Sequence, residues 1–523
     1  MILLSLYVVI FSPWLIQKLL VKDVRESDLY TRLMWPLIIS WLYTKTDSFE
    51  ILIIFFVLFV VLSVIDIAYA ITFRGVFTSG AVEAIFLSNK SEISEFLSAY
   101  FKWQTLFSVI AYLTVSTLLF VFGQAESLMF LPDWADYLML VIVGMIFYKG
   151  AVQKEFYAVL PGLSGMLPTY YFQLKKATNL INARSEKARL LDDISLLKNG
   201  DINQLVVVIG ESSSPRHWSL YGYSRETTSL LEKYELVLFK DVVSPFTQTN
   251  PALSMVLTEA DVENDLDPNE SYSFIDLANK SGIETWWISN QEAVKSTPAA
   301  IAKTARHCYF SSEYNVGQHG GFDEFVLDPF EKALKSRAEK KIIVVHLMGS
   351  HLQYEHRYPS EKARFNDDKG ISAYTDKLTK AQVNTINHYD NSIAYTDFIL
   401  DGLINRLQHN NNKESALLFF SDHGEEVFDT RNFKGHEPQN VSRPMFEVPM
   451  FIWTDVKKKA FIKRLQENET KPLMLDDVFH SVLDLFEFPE KYLNKKRSFF
   501  SETFKPKKRL VYGKNFDEFF PKK

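Results

Sequence analysis

Among 523 residues there is one cysteine, Cys308, so no intramolecular disulfide can form. That absence excludes a disulfide-stapled scaffold but not export, because a soluble domain of this size can be stable without a disulfide. Positive charge is also scarce: 57 Lys and Arg stand against 63 Asp and Glu, and no basic stripe with interleaved aromatics occurs. Nucleic acid is therefore not an expected partner. The segment Met1 to Leu20 lacks a basic leader and a small-residue cleavage site, so it reads as a retained apolar segment rather than a signal peptide.

What the sequence does contain changes character near residue 155. Before it lie runs rich in Leu, Ile, Val and Phe: Ile51 to Phe73, Leu106 to Phe122 and Tyr137 to about Val152, with weaker runs at Ile2 to Leu20 and Leu33 to Tyr43. About 20 apolar residues cross ~30 Å of hydrocarbon, so about five spans are expected, or four if the Leu33 segment does not cross. Charge leaves the orientation open. Five spans with an internal N-terminus put the C-terminal part outside, yet the first loop, then also outside, carries Lys18, Lys22, Arg25 and Arg32 beside Asp23, Glu26 and Asp28. Arg74 to Trp103 is too polar to cross and reads as an amphipathic interfacial connector. A second linker, Leu163 to Lys198, is rich in Lys, Arg and helix formers, and the Asn199-Gly200 turn signal follows it. The expected division is a transmembrane domain over 1–155, interfacial linker helices over 156–200 and a soluble domain over 201–523.

In the soluble part, apolar runs recur with helical patterns between them: Gln204 to Gly210, Glu284 to Ser289, Lys341 to Met348, Ala416 to Ser421 and Met450 to Trp453. Lys380 to Gln408 and Leu475 to Phe486 read as helices. Such alternation predicts a mostly parallel sheet covered by helices on both faces, with ligands at the carboxyl ends of the strands. The first run ends in Gly210-Glu211-Ser212 and the fourth in Ser421-Asp422-His423-Gly424-Glu425. A carboxylate and an Asp-His pair at strand ends suit zinc, which accepts both oxygen and imidazole nitrogen, although one Asp-His pair alone is also an ordinary surface turn. His346, His351, His356, His423 and His436 cluster in the same stretch of sequence. His346 sits inside an apolar strand and fits a core histidine, while His388, His409 and His480 fall on helical patterns as structural or solvated residues.

These segments resemble a known family. Gly210-Glu211-Ser212, Ser219-Leu-Tyr-Gly-Tyr-Ser-Arg-Glu-Thr-Thr228, Gly349-Ser-His351, Tyr389-Asp-Asn391, Ser421-Asp-His-Gly-Glu425 and Gly435-His436 look like the successive motifs of the lipopolysaccharide phosphoethanolamine transferases. These are membrane-anchored members of the alkaline-phosphatase and sulfatase superfamily. Ala84-Ile-Phe-Leu-Ser-Asn89 and the segment Ser421 to Thr430 look closest to the core-modifying branch. The resemblance implies zinc held by Glu211, Asp422, His423 and the nucleophile Thr249, with a second zinc possible. It implies proton-transfer or phosphate contacts at His351 and His436, and substrate contacts at Ser88, Asn89, Glu92, Asn290 and Glu425. It further implies a phosphatidylethanolamine donor, a lipopolysaccharide acceptor, contact with membrane lipids, a monomer, and a multi-pass inner-membrane location with the catalytic domain in the periplasm.

The sequence Ser244-Pro-Phe-Thr247-Gln-Thr249-Asn-Pro251 offers two threonines. The family's spacing selects Thr249, which also stands two residues before a proline, as the superfamily's nucleophile does. As an isolated residue Thr249 fits a helix N-cap equally well. Two features depart from the lipid A branch: Ala84 and Ser88 replace the Asn and Thr of those relatives, and Lys295 lies one residue out of register, at a position held by Val294. The competing readings are a lipoteichoic-acid-type phosphoglycerol transferase and an inactive membrane sensor or scaffold. A sulfatase would need a Cys or Ser for conversion to formylglycine, which Thr249 cannot supply.

Overall fold

The computed structural model describes residues 2–20, 26–73, 103–123, 133–152, 156, 159–168, 170–172, 186, 188, 190–197, 200–291, 296–311, 321–410 and 414–521. The connector residues Ser88, Asn89 and Glu92, and also Val294 and Lys295, lie outside the described residues. The chain forms two compact units, Met1–Ala177 and Thr178–Lys523.

The first unit holds α1 (Ile2–Leu20), α2 (Glu26–Thr46), α3 (Phe49–Phe73), α4 (Trp103–Gly123) and α5 (Asp133–Phe147). By length and composition four stretches among the described residues are apolar enough to cross a membrane: Leu3–Leu20, Phe49–Thr72, Trp103–Phe122 and Trp134–Val152. The Leu33 segment is thus the centre of a full 21-residue helix, α2, that is too polar to count as a fifth. Its polarity has a use. Arg32 is buried and reaches Asp28 at 2.8 Å, Asp66 of α3 at 2.9 Å and the Ile10 carbonyl of α1 at 2.9 Å. The same carboxylates accept from the backbone past α5: Gly162 N–H donates to Asp28 at 2.7 Å and Leu163 N–H to Asp66 at 3.2 Å. Gly162 is required there, because its φ is +52° and a Cβ would fall 2.0 Å from Asp66 Oδ2. Arg32 therefore belongs to a buried ion-pair network rather than to the loop charges that set orientation.

In the second unit seven strands form one sheet: β1 (Gln204–Gly210), β2 (Leu236–Phe239), β3 (Glu284–Ser289), β4 (His307–Phe310), β5 (Lys341–His346), β6 (Ser415–Ser421) and β7 (Met450–Thr454). Their order is β2-β7-β6-β1-β5-β3-β4. The five from β6 to β4 are mutually parallel, and β7 runs antiparallel to both β6 and β2. β1 shows why the central strands are apolar throughout: Leu205, Val207 and Ile209 enter one core and Val206 and Val208 the other. With both faces covered, neither alternate position can be polar. One core is closed by α6 (Thr249–Val256), α7 (Phe274–Lys280) and, near the C-terminus, Val478–Leu485. The other is closed by α8 (Leu327–Lys335) and the 30-residue α9 (Lys380–His409), through Ile386, Tyr389, Ile393, Ile399 and Leu403. β1 and β6 are adjacent and in register to their ends, Gly210 opposite Ser421, so Glu211 and Asp422 emerge side by side.

Candidate metal centre and nucleophile

Glu211, Asp422 and His423 come together at the carboxyl edge of the sheet, each fully or almost fully buried, with one ligand atom of each within 4.8 Å of the others. His423 Nδ1 lies 2.9 Å from the Gly424 carbonyl, which fixes it as the ring's donor nitrogen. Nε2 then points at Glu211 Oε1 (3.4 Å) and Asp422 Oδ2 (3.5 Å). Both Asp422 Oδ2 and His423 Nε2 are buried without a hydrogen-bond partner. Buried polar atoms are ordinarily satisfied, so two orphans facing one point call for a shared cation. Electrostatics agrees. Burial opposes the His423 imidazolium, yet Asp422 and Glu211 outweigh it and raise the ring to about 10. Burial, then the charge of Glu211, pushes Asp422 up to about 8. The pocket takes up protons where it needs positive charge. Two oxygens and one imidazole nitrogen, with a hydroxyl beside them, match the donor set of a four-coordinate zinc site.

The hydroxyl is that of Thr249. Thr249 is the first residue of α6; the N-cap is Gln248, whose side chain makes no capping bond, so the capping role conceivable from sequence does not fall to Thr249. Its Oγ1 instead donates to Glu211 Oε2 at 3.1 Å. Thr247 is fully buried and faces elsewhere, Oγ1 lying 3.2 Å from the Glu437 carbonyl and 2.9 Å from the Tyr512 hydroxyl. Of the two threonines, only Thr249 is brought to the carboxylates.

Glu425, His436 and His351 gather around this centre. Glu425 is buried between the Tyr354 hydroxyl and His436 Nδ1, each at 2.7 Å. The ring centroids of His436 and His423 lie 4.2 Å apart with the planes tilted by 58°, and His423, Glu425 and His436 form a second cluster able to hold a cation. His351 follows the turn Gly349-Ser350, where Gly349 has φ +50° and a Cβ would meet Glu211 N at 2.9 Å; only glycine lets these two strand-end loops pass. Burial lowers His351 to about 4 and leaves Nδ1 without a partner, so near neutral pH this ring is uncharged. His346 is buried against Trp287, as a core histidine would be. His388 Nδ1 lies 2.7 Å from the Tyr358 hydroxyl, and the exposed His409 turns back on its own helix.

Asn290 is buried, its side-chain nitrogen engaged and its Oδ1 without a hydrogen-bond partner. Its amide donates to the Gly321 carbonyl at 2.7 Å and to Asp323 at 2.8 Å. Asp323 in turn accepts from the N–H groups of Met348 and Gly349, which orients the turn before His351. The next residue, Gln291, reaches Glu211 Oε2 at 2.9 Å. Gln291 and Tyr354 are site residues that sequence reasoning missed. A polar side chain at the end of β3 was the available signal for the first; Tyr354, in a short 3-10 turn, gave none.

The Sulfatase family pattern matches residues 203–488, more than half of the chain. The chain belongs to the Sulfatase family. Its homologues include the phosphoethanolamine transferase EptC of Escherichia coli strain K12, 29% identical over 526 aligned residues that span 94% of this chain and 90% of the relative. The crystal structure of the C-terminal periplasmic domain of Escherichia coli EptC in complex with zinc is 29% identical, with a TM-score of 0.58 over 63% of this chain and 98% of that one. The integral membrane lipooligosaccharide phosphoethanolamine transferase A of Neisseria meningitidis shares the fold of the whole chain, with a TM-score of 0.63 over 95% of this chain and 97% of that one at 18% identity.

Proposed function

We propose that this Sulfatase-family member is a zinc-dependent transferase that moves phosphoethanolamine from phosphatidylethanolamine to a lipopolysaccharide acceptor, a core sugar or lipid A, at the periplasmic face of the inner membrane. The observation that carries the reading is the Thr249 hydroxyl, at the first turn of a helix and 3.1 Å from Glu211, beside the orphaned Asp422 Oδ2 and His423 Nε2. The reaction class comes from the homologues, which are named phosphoethanolamine transferases.

Glu211, Asp422, His423 and Thr249 are the residues that would hold the ion. Zinc, when bound, supplies positive charge that makes the threonine hydroxyl a stronger acid and offsets charge gathering on the phosphoryl oxygens. The Thr249 oxygen gives up its proton and attacks the donor phosphorus; the phosphorus–glycerol oxygen bond breaks, and diacylglycerol leaves as its oxygen takes up one proton in return. The product is phosphoethanolamine esterified to Thr249. An acceptor oxygen then attacks the same phosphorus, loses its proton, and Thr249 is regenerated. The positive end of the α6 dipole favours the phosphate's negative charge. To His436, whose Nδ1 lies 2.7 Å from Glu425, we assign the transfer of the leaving group's and acceptor's protons. The neutral His351 offers a hydrogen bond to the phosphate. Glu425 holds either a second cation or the ethanolamine ammonium.

The test is a trapped intermediate. Enzyme incubated with phosphatidylethanolamine in mixed micelles, without acceptor, is digested and its peptides weighed. The phosphoethanolamine mass is expected on the peptide carrying Thr249 and absent from Thr249→Ala; its appearance on Thr247 or Ser213 would overturn the assignment. Mass spectra of lipopolysaccharide fragments from cells with and without the protein identify the acceptor.

A further inference from the structure

Tyr389-Asp390-Asn391, one of the motifs read in the sequence, lies in the middle of α9, and the mechanism above gives it no task. Its first residue touches the metal loop. The Tyr389 hydroxyl, fully buried, donates to the Ser212 carbonyl at 2.8 Å and accepts from the Ser214 N–H at 2.9 Å. Those two groups flank Ser213, and Ser212, whose carbonyl the tyrosine holds, is in the left-handed region, φ +53°, which non-glycine residues seldom occupy. In that conformation Ser212 serves two ligands at once: its N–H donates to Asp422 Oδ1 at 3.2 Å and its Oγ to Glu211 Oε1 at 2.8 Å. The first bond holds Asp422 Oδ1 and leaves Oδ2 facing His423; the second holds Glu211 Oε1, the oxygen that itself lies 3.4 Å from His423 Nε2.

The tyrosine is itself fixed. Its ring packs edge-on against His217 (4.8 Å) and Tyr354 (4.9 Å). The adjoining Asp390 anchors this stretch of α9 to the Ser219–Thr228 motif and the residues before it, accepting from Tyr223 at 2.9 Å and Arg225 at 2.7 Å and lying 2.6 Å from His217 Nδ1.

We propose that Tyr389 is a positioning residue for the metal centre: by tying the Ser212 carbonyl to the Ser214 N–H it holds the turn after Glu211 and, with it, the left-handed Ser212 backbone from which Ser212 contacts Glu211 and Asp422. The inference rests on the zinc reading above.

Zinc affinity of the full chain in detergent, measured by competition with a chromophoric chelator, tests it without any substrate. Tyr389→Phe is expected to weaken zinc by roughly tenfold or more, in the range that loss of a ligand-orienting partner produces. Ser212→Gly supplies a residue that adopts positive φ without cost. In the double variant the additional effect of Tyr389→Phe should fall to within about threefold of Ser212→Gly alone. Activity on a soluble phosphodiester should drop in Tyr389→Phe at limiting zinc and recover at saturating zinc. Wild-type affinity in Tyr389→Phe, additive losses in the double variant, or failure of both Tyr389 variants to fold would each overturn the proposal. Absence of zinc binding by the unaltered protein would instead overturn the metal reading on which it rests.

Discussion

At the scale of single residues, the centre is built from groups whose protonation is tightly controlled by burial. Asp422→Ala or His423→Ala removes one ligand from a four-ligand set, so each purified variant is expected to contain less than about a tenth of the zinc of the parent by elemental analysis. Full occupancy in both variants would place the metal elsewhere. Away from the centre, His480 offers a clean pH prediction. Burial, with Arg497 adding to it, lowers this ring from its ordinary 6.5 to about 4. The unfolded chain takes up a proton below about pH 6.5 and the folded chain does not until about pH 4, so stability drains away as pH falls through that window. The slope is at most about 1.4 kcal/mol per pH unit. His480→Gln should flatten the acid limb of the melting temperature between pH 6.5 and 4; an unchanged slope would mean that other groups control it.

At the scale of elements, the strand ends carry the tightest constraints. A Cβ on Gly424, between His423 and Glu425, would fall 2.1 Å from the Pro444 carbonyl oxygen and 2.3 Å from that of Glu447, both backbone atoms. Gly424→Ala should therefore cost at least about 2 kcal/mol in chemical denaturation, a figure typical of forced overpacking; a loss below ~0.5 kcal/mol would show that the loop yields easily. Five of the seven sheet strands were legible as apolar runs, because a central strand with both faces covered has no polar alternate to hide it. β2 and β4 were not. They flank the sheet, and Leu236–Phe239 and His307–Phe310 are four residues each, too short to carry a periodicity. The site divides in a similar way. Glu211, Asp422 and His423 were readable because they directly follow apolar runs, whereas Gln291, Tyr354 and the role of Ser212 depend on which loops meet at the sheet edge. A one-dimensional pattern does not contain that. Asn290 matched a motif, yet its amide is held by Gly321 and Asp323.

At the scale of the whole molecule, the second unit has its own two cores on either side of the sheet. Expressed from about Asp201, it should fold and hydrolyse a small soluble phosphodiester slowly, while transfer from a lipid donor falls by orders of magnitude because nothing brings the headgroup to Thr249. Equal rates of lipid transfer with and without the first unit would reduce the N-terminal helices to an anchor. Those helices also raise a question of assembly that the Arg32 network answers. α2 carries a buried guanidinium whose partner Asp66 belongs to the helix made after it, and breaking such a buried pair costs about 3–5 kcal/mol. During synthesis, then, Arg32 has only Asp28 of its own helix as partner until α3 brings Asp66, and the two helices are expected to enter as a hairpin. Translation intermediates truncated before Phe49 should leave α2 accessible to a water-soluble thiol reagent at an introduced cysteine, with protection appearing only once Asp66 has been added. The membrane half would thereby be committed in a fixed order, late binding of one charge licensing the insertion of another.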